Sequence, residues 1–212
     1  MKDIVKATPW RVGLMSALLI AGGAQAASAQ SSRVIRGDAA ATIGWLAADT
    51  HSAGPYDRNN WVNSFFTAGS AGWHWTDNLK TEVDFGASTD SRLFHIEQVS
   101  IAGRSTYQTI ESRFARRTIG FSQQYQFFHN VWFHPHVAAG VNVNWQRRRD
   151  DSSRVQPPNA TTERTSWSAN PFIAIGYKAY VSDRAFFRND FRIAFHGGPD
   201  ETVFRLGIGI DF

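Results

Sequence analysis

Residues 131–146 read VWFHPHVAAGVNVNWQ. Val131, Phe133, Pro135, Val137, Ala139, Val141, Val143 and Trp145 take every second position. Between them stand Trp132, His134, His136, Ala138, Gly140, Asn142, Asn144 and Gln146. Successive side chains of a strand point to opposite faces. One face of this strand is therefore apolar throughout, and the other is almost wholly polar or small. The run is about three times the usual strand length of about five or six residues. Pro135 removes a ladder bond, which is tolerated near the start of a strand.

The same period of two recurs along the chain. In TSWSANPFIAIGYKA, Trp167, Ile173, Ile175 and Tyr177 oppose Ser166, Asn170 and Lys178. Val83 and Phe85 oppose Glu82 and Asp84. Phe187, Phe191, Ile193 and Phe195 oppose Arg188, Asp190, Arg192 and His196, with Asn189 an intruder on the apolar face. Gln123 intrudes likewise beside Ile119, Phe121, Tyr125 and Phe127. In the weaker segment from Trp61 to Trp75, Val62 and Phe66 fall on the wrong face. The pattern predicts eight strands, near 41–49, 61–75, 80–89, 108–128, 131–146, 164–179, 185–196 and 202–212. Residues 76–79, 129–130 and 180–184 read as tight turns. Residues 50–60, 90–107 and 147–163 read as longer polar loops, and 197–201 as a short connection at the same end.

Composition sets bounds on the chemistry. The chain has 212 residues, 42% of them hydrophobic, with 8 Trp and 16 Phe. The length suits one domain or at most two. It has no cysteine, which excludes disulfides, thiolate metal sites and a lipid-modified Cys. The start, MKDIVKATPWR, is basic. A short apolar run, VGLMSALLIAGG, follows, and then two A-x-A sites, Ala24-Gln25-Ala26 and Ala27-Ser28-Ala29. This is the pattern of a secretory signal peptide over 1–29. Removing its three bases and one acid takes the formal charge from +4 to +2, so no nucleic-acid partner is expected. Residues 30–40 read as an N-terminal periplasmic segment and 41–212 as the folded domain.

Eight long alternating strands, with short turns at one end and longer loops at the other, follow the rule for transmembrane β-barrels. A bilayer forces closure, because lipid satisfies no free strand edge. The outward aromatics fall in two groups. Trp73, Trp75, Phe127, Phe133, Tyr177, Phe187 and Phe212 lie near the short turns. Trp145, Trp167, Phe195 and Phe204 lie near the long loops. From Phe133 to Trp145 is about 40 Å along the strand and about 30 Å along the normal after a tilt near 40°. An apolar band between aromatic girdles is about 25 Å tall. A soluble lipocalin-like barrel, apolar inside, does not call for two such belts.

On these features the chain resembles the small eight-stranded outer-membrane barrels of Gram-negative bacteria, the OmpA/OmpX-like class, over the signal and residues 41–212. The fold class is an all-β, eight-stranded, antiparallel up-and-down transmembrane barrel. The ending Phe204-x-Leu206-x-Ile208-x-Ile210-x-Phe212 is similar to the family's C-terminal assembly signal. The WTDNLKTEVDF stretch is similar to its periplasmic hairpin. The resemblance implies a monomer in the bacterial outer membrane, both termini periplasmic, no peptidoglycan-binding domain and no cofactor. It implies outer-membrane lipid, lipopolysaccharide and the barrel assembly machinery as partners.

Two constellations stand out. Glu82, Asp84, Lys178, Arg188, Asp190, Arg192, Arg205 and Asp211 share the inward face, and buried charges must pair. They read as a salt-bridge plug, with a gated ion path as the alternative. If His196 faces Val203, Arg188 lies opposite Asp211 and Asp190 opposite Gly209, diagonal to Arg205 or Asp211. The second constellation is basic. A turn at 129–130 would bring Arg113, Arg116, Arg117, Arg147, Arg148 and Arg149 to the loop end of one hairpin, with Arg113 beside Gln146 and Arg147. Arginine suits phosphate, so this is a candidate lipopolysaccharide contact.

Catalytic and metal readings are weaker. His134 and His136 share a face, but no third zinc ligand is identifiable. The chain has no His-x-Ser pair of the kind found in lipid A deacylases, and His51-Ser52 lies on a loop. His196 with Asp200 and Glu201 is the one rim cluster worth testing as a hydrolase. The expectation is a non-enzymatic protein of envelope integrity or surface interaction. A lipid-modifying enzyme and a narrow solute channel are the alternatives.

Overall fold

The alternation becomes strands throughout the computed structural model, which describes residues 36–50, 61–101, 104–127, 132–151 and 161–212. Residues 1–29 and the loop at 51–60 lie outside the described residues. The strands are β1 (Gly37–Asp49), β2 (Trp61–His74), β3 (Leu79–Ser88), β4 (Ser91–Ile101), β5 (Arg104–Gln126), β6 (Phe133–Asp151), β7 (Thr161–Tyr180), β8 (Ala185–Phe195) and β9 (Pro199–Asp211). Each pairs antiparallel with its neighbours. β1 also pairs with β9, from Asp38–Asp211 to Ala48–Glu201, which closes the barrel.

The nine segments make eight staves. β3 and β4 both pair with β5, one after the other. Between them, at Thr89 and Asp90, the phase of alternation flips. Phe85 is outward and odd-numbered, whereas Arg92, Phe94 and Ile96 are exposed and even-numbered. This break hid β4 in the sequence. Residues 90–107 read as a polar loop, but most of them continue the sheet. Residues 147–151 and 161–163 also stay in strands. The barrel is thus uneven in height. β5 is 23 residues long and β7 is 20, against 11 for β8. About 9–11 residues cross a bilayer, so the sheet of β4–β7 projects well beyond the span at one end. β1 begins at Gly37, four residues before its expected start.

The short turns are built by side chains. Thr76 Oγ1 accepts from the backbone N–H groups of Asn78 (3.3 Å) and Leu79 (3.0 Å). Ser182 Oγ accepts from the Ala185 N–H at 3.0 Å. At the other end, the β8–β9 turn uses Gly197 at φ +78°, a left-handed conformation open to glycine.

The exterior is apolar and its two intruders differ. Trp75 Nε1 donates to Thr81 Oγ1 at 2.7 Å, and Thr81 Oγ1 donates to Gln123 Oε1 at 2.8 Å. Gln123 is therefore tolerated because a neighbour satisfies part of its amide. Asn189 lies between Tyr177 and Leu206, with no such partner among the described residues.

Candidate functional site

The interior begins at the turn end with charge. Asp38 meets Lys80 at 2.9 Å, Lys178 at closer range, and His74 at 3.3 Å. Lys80 also donates to Glu82 at 2.6 Å. Glu82 receives both terminal nitrogens of Arg188 at 2.7 Å, a two-pronged pair across the lumen from β8 to β3. Arg188 Nε reaches Asp190 at 2.9 Å, and Arg205 reaches the same carboxylate at 2.7 Å. Asp84 closes the column, taking Arg192 at 2.9 Å and Arg205 at 3.2 Å. Tyr180 Oη donates to Asp211 at 2.6 Å, and Lys178 lies 3.6 Å from it.

The column balances. Asp38, Glu82, Asp84, Asp190 and Asp211 face Lys80, Lys178, Arg188, Arg192 and Arg205, all buried. An isolated buried charge costs several kcal/mol, so equal numbers and alternating signs are what make this interior possible. Lys80–Glu82 and Arg188–Asp190 each lie within one strand, whereas Arg188–Glu82, Arg192–Asp84 and Lys178–Asp38 join different staves, so the column also ties walls together across the lumen.

Above the column the lumen turns apolar. Leu46, Ala48, Phe66, Ala68 and Val203 form one buried cluster, and Phe172, Ala174 and Ala194 another. Phe66 was on the wrong face for a lipid-facing strand because it belongs to this layer. The Arg192 guanidinium lies 3.9 Å from the Phe172 ring centroid, joining the two zones. A second polar layer caps the hairpin end. Arg116 donates to Glu201 at 2.5 Å and to Gln146 at 2.6 Å. Asn170 donates to Asp200 at 2.7 Å, and His196 Nδ1 lies 3.2 Å from Asn170 Oδ1. Thr118 Oγ1 and both amide atoms of Asn144 are buried with no hydrogen-bond partner among the described residues. Internal water commonly meets such groups.

All eight residues expected in the lumen lie there, but in other pairings. The β8–β9 register sets Asp190 opposite Arg205 and Arg188 opposite Gly207. Arg188 does not face Asp211; it spans the barrel to Glu82. The physical reason is the β8–β9 turn, which is tighter than a His196–Val203 pairing requires. Sequence reading missed Asp38, which was placed in the N-terminal segment 30–40 but lies in β1, and Lys80, the first residue of an expected strand. It also missed the inward role of Arg116. Lys80 shares the parity of Glu82 and Asp84, and that signal was available. His134 and His136 are buried and face inward, with the His134 ring 5.0 Å from that of Tyr180. A different acidic and histidine group, Asp38, His74 and Asp211, comes close enough to share an ion. Lys80 and Lys178 already hold Asp38 there, so a cation fits it poorly.

The six arginines do not form one patch. The β5–β6 register pairs Arg113 with Arg149, Arg116 with Gln146 and Arg117 with Trp145. Arg113 is thus displaced from Gln146 and Arg147, because the β5–β6 connection is longer than a two-residue turn. Parity then divides the set. Arg116 and Arg148 point inward, where Arg148 binds Asp150 at 2.6 Å. Arg113, Arg117, Arg147 and Arg149 point outward. Arg92 joins them opposite Arg113, and Glu111 lies within 3.5 Å of Arg92 and 3.1 Å of Arg113.

A closed eight-stranded barrel with an apolar exterior and an ion-paired interior defines an integral membrane barrel of the bacterial outer-membrane type. The chain belongs to the family of outer membrane protein beta-barrel domains, whose model matches residues 15–212. Solved structures share the fold. The N-terminal barrel of Pseudomonas aeruginosa OprF matches with a TM-score of 0.52 at 16% identity, covering 84% of this chain and 98% of that one. Neisserial surface protein A matches with a TM-score of 0.54 at 15% identity, covering 83% and 96%. Ail of Yersinia pestis, solved with the heparin analogue sucrose octasulfate, matches with a TM-score of 0.50 at 12% identity, covering 84% and 99%. No curated protein matches the chain.

Proposed function

We propose that this protein is a non-enzymatic component of the outer membrane that works at the cell surface and contributes to envelope integrity. The hairpin end faces outward and both termini face the periplasm. The observation that carries the reading is the filled lumen. A continuous ion-paired column, an apolar layer and a second ion-paired cap lie in series, and an eight-stranded barrel has room for side chains but no wide pore. What is left to act is the exterior of the projecting β4–β7 sheet, where Phe94 (61% exposed) and Tyr107 (57% exposed) stand clear of the barrel.

The test is a deletion strain challenged with detergent and large antibiotics. Increased sensitivity is expected, restored by the full chain but not by one with the β4–β5 and β6–β7 hairpins shortened to the height of β8. Cell-surface labelling of a cysteine placed at Thr109 should succeed. Three results would overturn the reading: steady single-channel currents in planar bilayers, an altered lipid A mass spectrum that tracks the protein, or labelling only after permeabilisation.

A further inference from the structure

The divided arginines leave one arrangement unexplained. Arg117 is exposed and makes no ion pair among the described residues, although it stands directly opposite Trp145 on the lipid-facing wall. Trp145 in turn stands opposite Trp167. Arg117 therefore sits within the aromatic belt, where charge meets the headgroups. Arg147 is the next outward residue on β6, opposite Ala115 and Thr165. It is thus diagonal to Arg117, a spacing of about 7–8 Å that long side chains bridge.

Beside the two arginines the wall is hollow. A groove of about 780 Å³ runs over Ala87, opposite Arg117, and Ala115, opposite Arg147, and the paired Phe85 and Ile119 border it one step farther toward the membrane interior. Small residues form its floor and large apolar ones its margin. The combination of two guanidiniums at headgroup height and an apolar furrow leading into the hydrocarbon region fits an amphiphile with a phosphate at its head. Arginine is the residue suited to phosphate, and basic pockets at the membrane surface recognise anionic headgroups. Asp90 lies 3.9 Å from Arg147, both groups being more than half exposed, and this holds the guanidinium only weakly.

We propose that Arg117 and Arg147 with this groove form a binding site for a phosphorylated, multiply acylated glycolipid of the outer leaflet. A phosphate sits between the guanidiniums, and an acyl chain lies along Ala87, Phe85 and Ile119. The assignment to the outer leaflet rests on the orientation proposed above. The site is confined to one flank of the barrel, the β3–β6 wall.

The test uses the folded full-length protein in detergent with bisphosphorylated lipid A, read by native mass spectrometry as the fraction of lipid-bound barrel. Heat-modifiable gel mobility confirms folding of each variant. The double variant Arg117→Gln/Arg147→Gln should lower retention at least tenfold. Arg149→Gln, one step farther out, should change it less than twofold. Arg117→Lys/Arg147→Lys keeps the charge and should lie between. Lipid A stripped of both phosphates should bind the wild type as weakly as intact lipid A binds the double glutamine variant. Inorganic phosphate at millimolar concentration should not displace the lipid. Equal retention by wild type and the double glutamine variant would overturn the site. Displacement by inorganic phosphate would reassign it to a free anion. Binding in detergent is independent of how the barrel sits in the cell. A hairpin end found on the periplasmic side would therefore overturn the outer-leaflet assignment alone.

Discussion

Asp190 lies directly across the β8–β9 ladder from Arg205, and their side chains meet at 2.7 Å in the buried lumen. The same carboxylate holds Arg188 at 2.9 Å, so one acid serves two guanidiniums. Removing one partner of a buried pair typically costs about 3–5 kcal/mol, because the other charge is left uncompensated. Asp190→Asn is therefore expected to lower the urea midpoint of the barrel refolded in vesicles, followed by tryptophan fluorescence. Arg205→Met should do the same. The double variant Asp190→Asn/Arg205→Met should lose less than the sum of the two, since it removes both charges of this pair at once.

Gly86 and Phe66 form a second dependence, diagonal neighbours on the paired strands β2 and β3 that share space on the lumen face. A Cβ built on Gly86 would lie 2.1 Å from the Phe66 ring. Gly86→Val is expected to destabilise by about 1–3 kcal/mol through overpacking. Adding Phe66→Ala should recover part of that loss. Double-mutant analysis of unfolding midpoints measures the coupling, and strictly additive effects would show that the two residues do not share this space.

On the exterior, Thr81 is the link that makes Gln123 acceptable in a lipid-facing row. Thr81→Val breaks both its bonds, to Trp75 and to Gln123. An unsatisfied polar group away from water costs about 1–3 kcal/mol, and Thr81→Val should show a loss of this size. Gln123→Leu should be neutral or stabilising. The double variant should recover the part of the loss that comes from Gln123 and keep the part that comes from Trp75, whose N–H still lacks its acceptor, when unfolding is followed in lipid vesicles.

The C-terminal aromatic is fastened to the start of β1. The Phe212 carbonyl accepts from the Gly37 N–H at 2.9 Å, and the Phe212 N–H donates to the Gly37 carbonyl at 2.8 Å. A Cβ on Gly37 would lie 2.6 Å from the Phe212 ring. Deleting Phe212 is expected to impair insertion while leaving signal cleavage intact. Gly37→Val should weaken the seam without altering the terminal sequence. A folded fraction on unheated gels that falls for the deletion but not for Gly37→Val would assign Phe212 to recognition. A fall for both would assign it to seam packing.

Much of the fold was legible because alternation is a local property. Val137 to Trp145 on one face and Asn142 with Asn144 on the other need no neighbour to be read. The inward set from Glu82 to Asp211 was legible for the same reason. The break at Thr89 and Asp90 was not. It inverts the parity between Phe85 and Phe94, so a strand that continues looks like a loop. Val62 and Phe66 were read as faults, because nothing local announces an apolar layer inside a charged lumen.

The sequence by itself determined the face of most side chains outside β4, and hence that the greasy side looks outward and the charges inward. Partnership was decided only by the tertiary structure. Arg188 finds Glu82 across 106 positions of sequence, and Arg116 finds Glu201 across 85. Those meetings depend on register and on closure of β1 against β9, and a shift of two residues keeps every face while changing every pair. The same physics divided six arginines into inward braces and an outward row. Parity set their faces, but the register alone placed Arg117 against Trp145 and left Arg147 beside it.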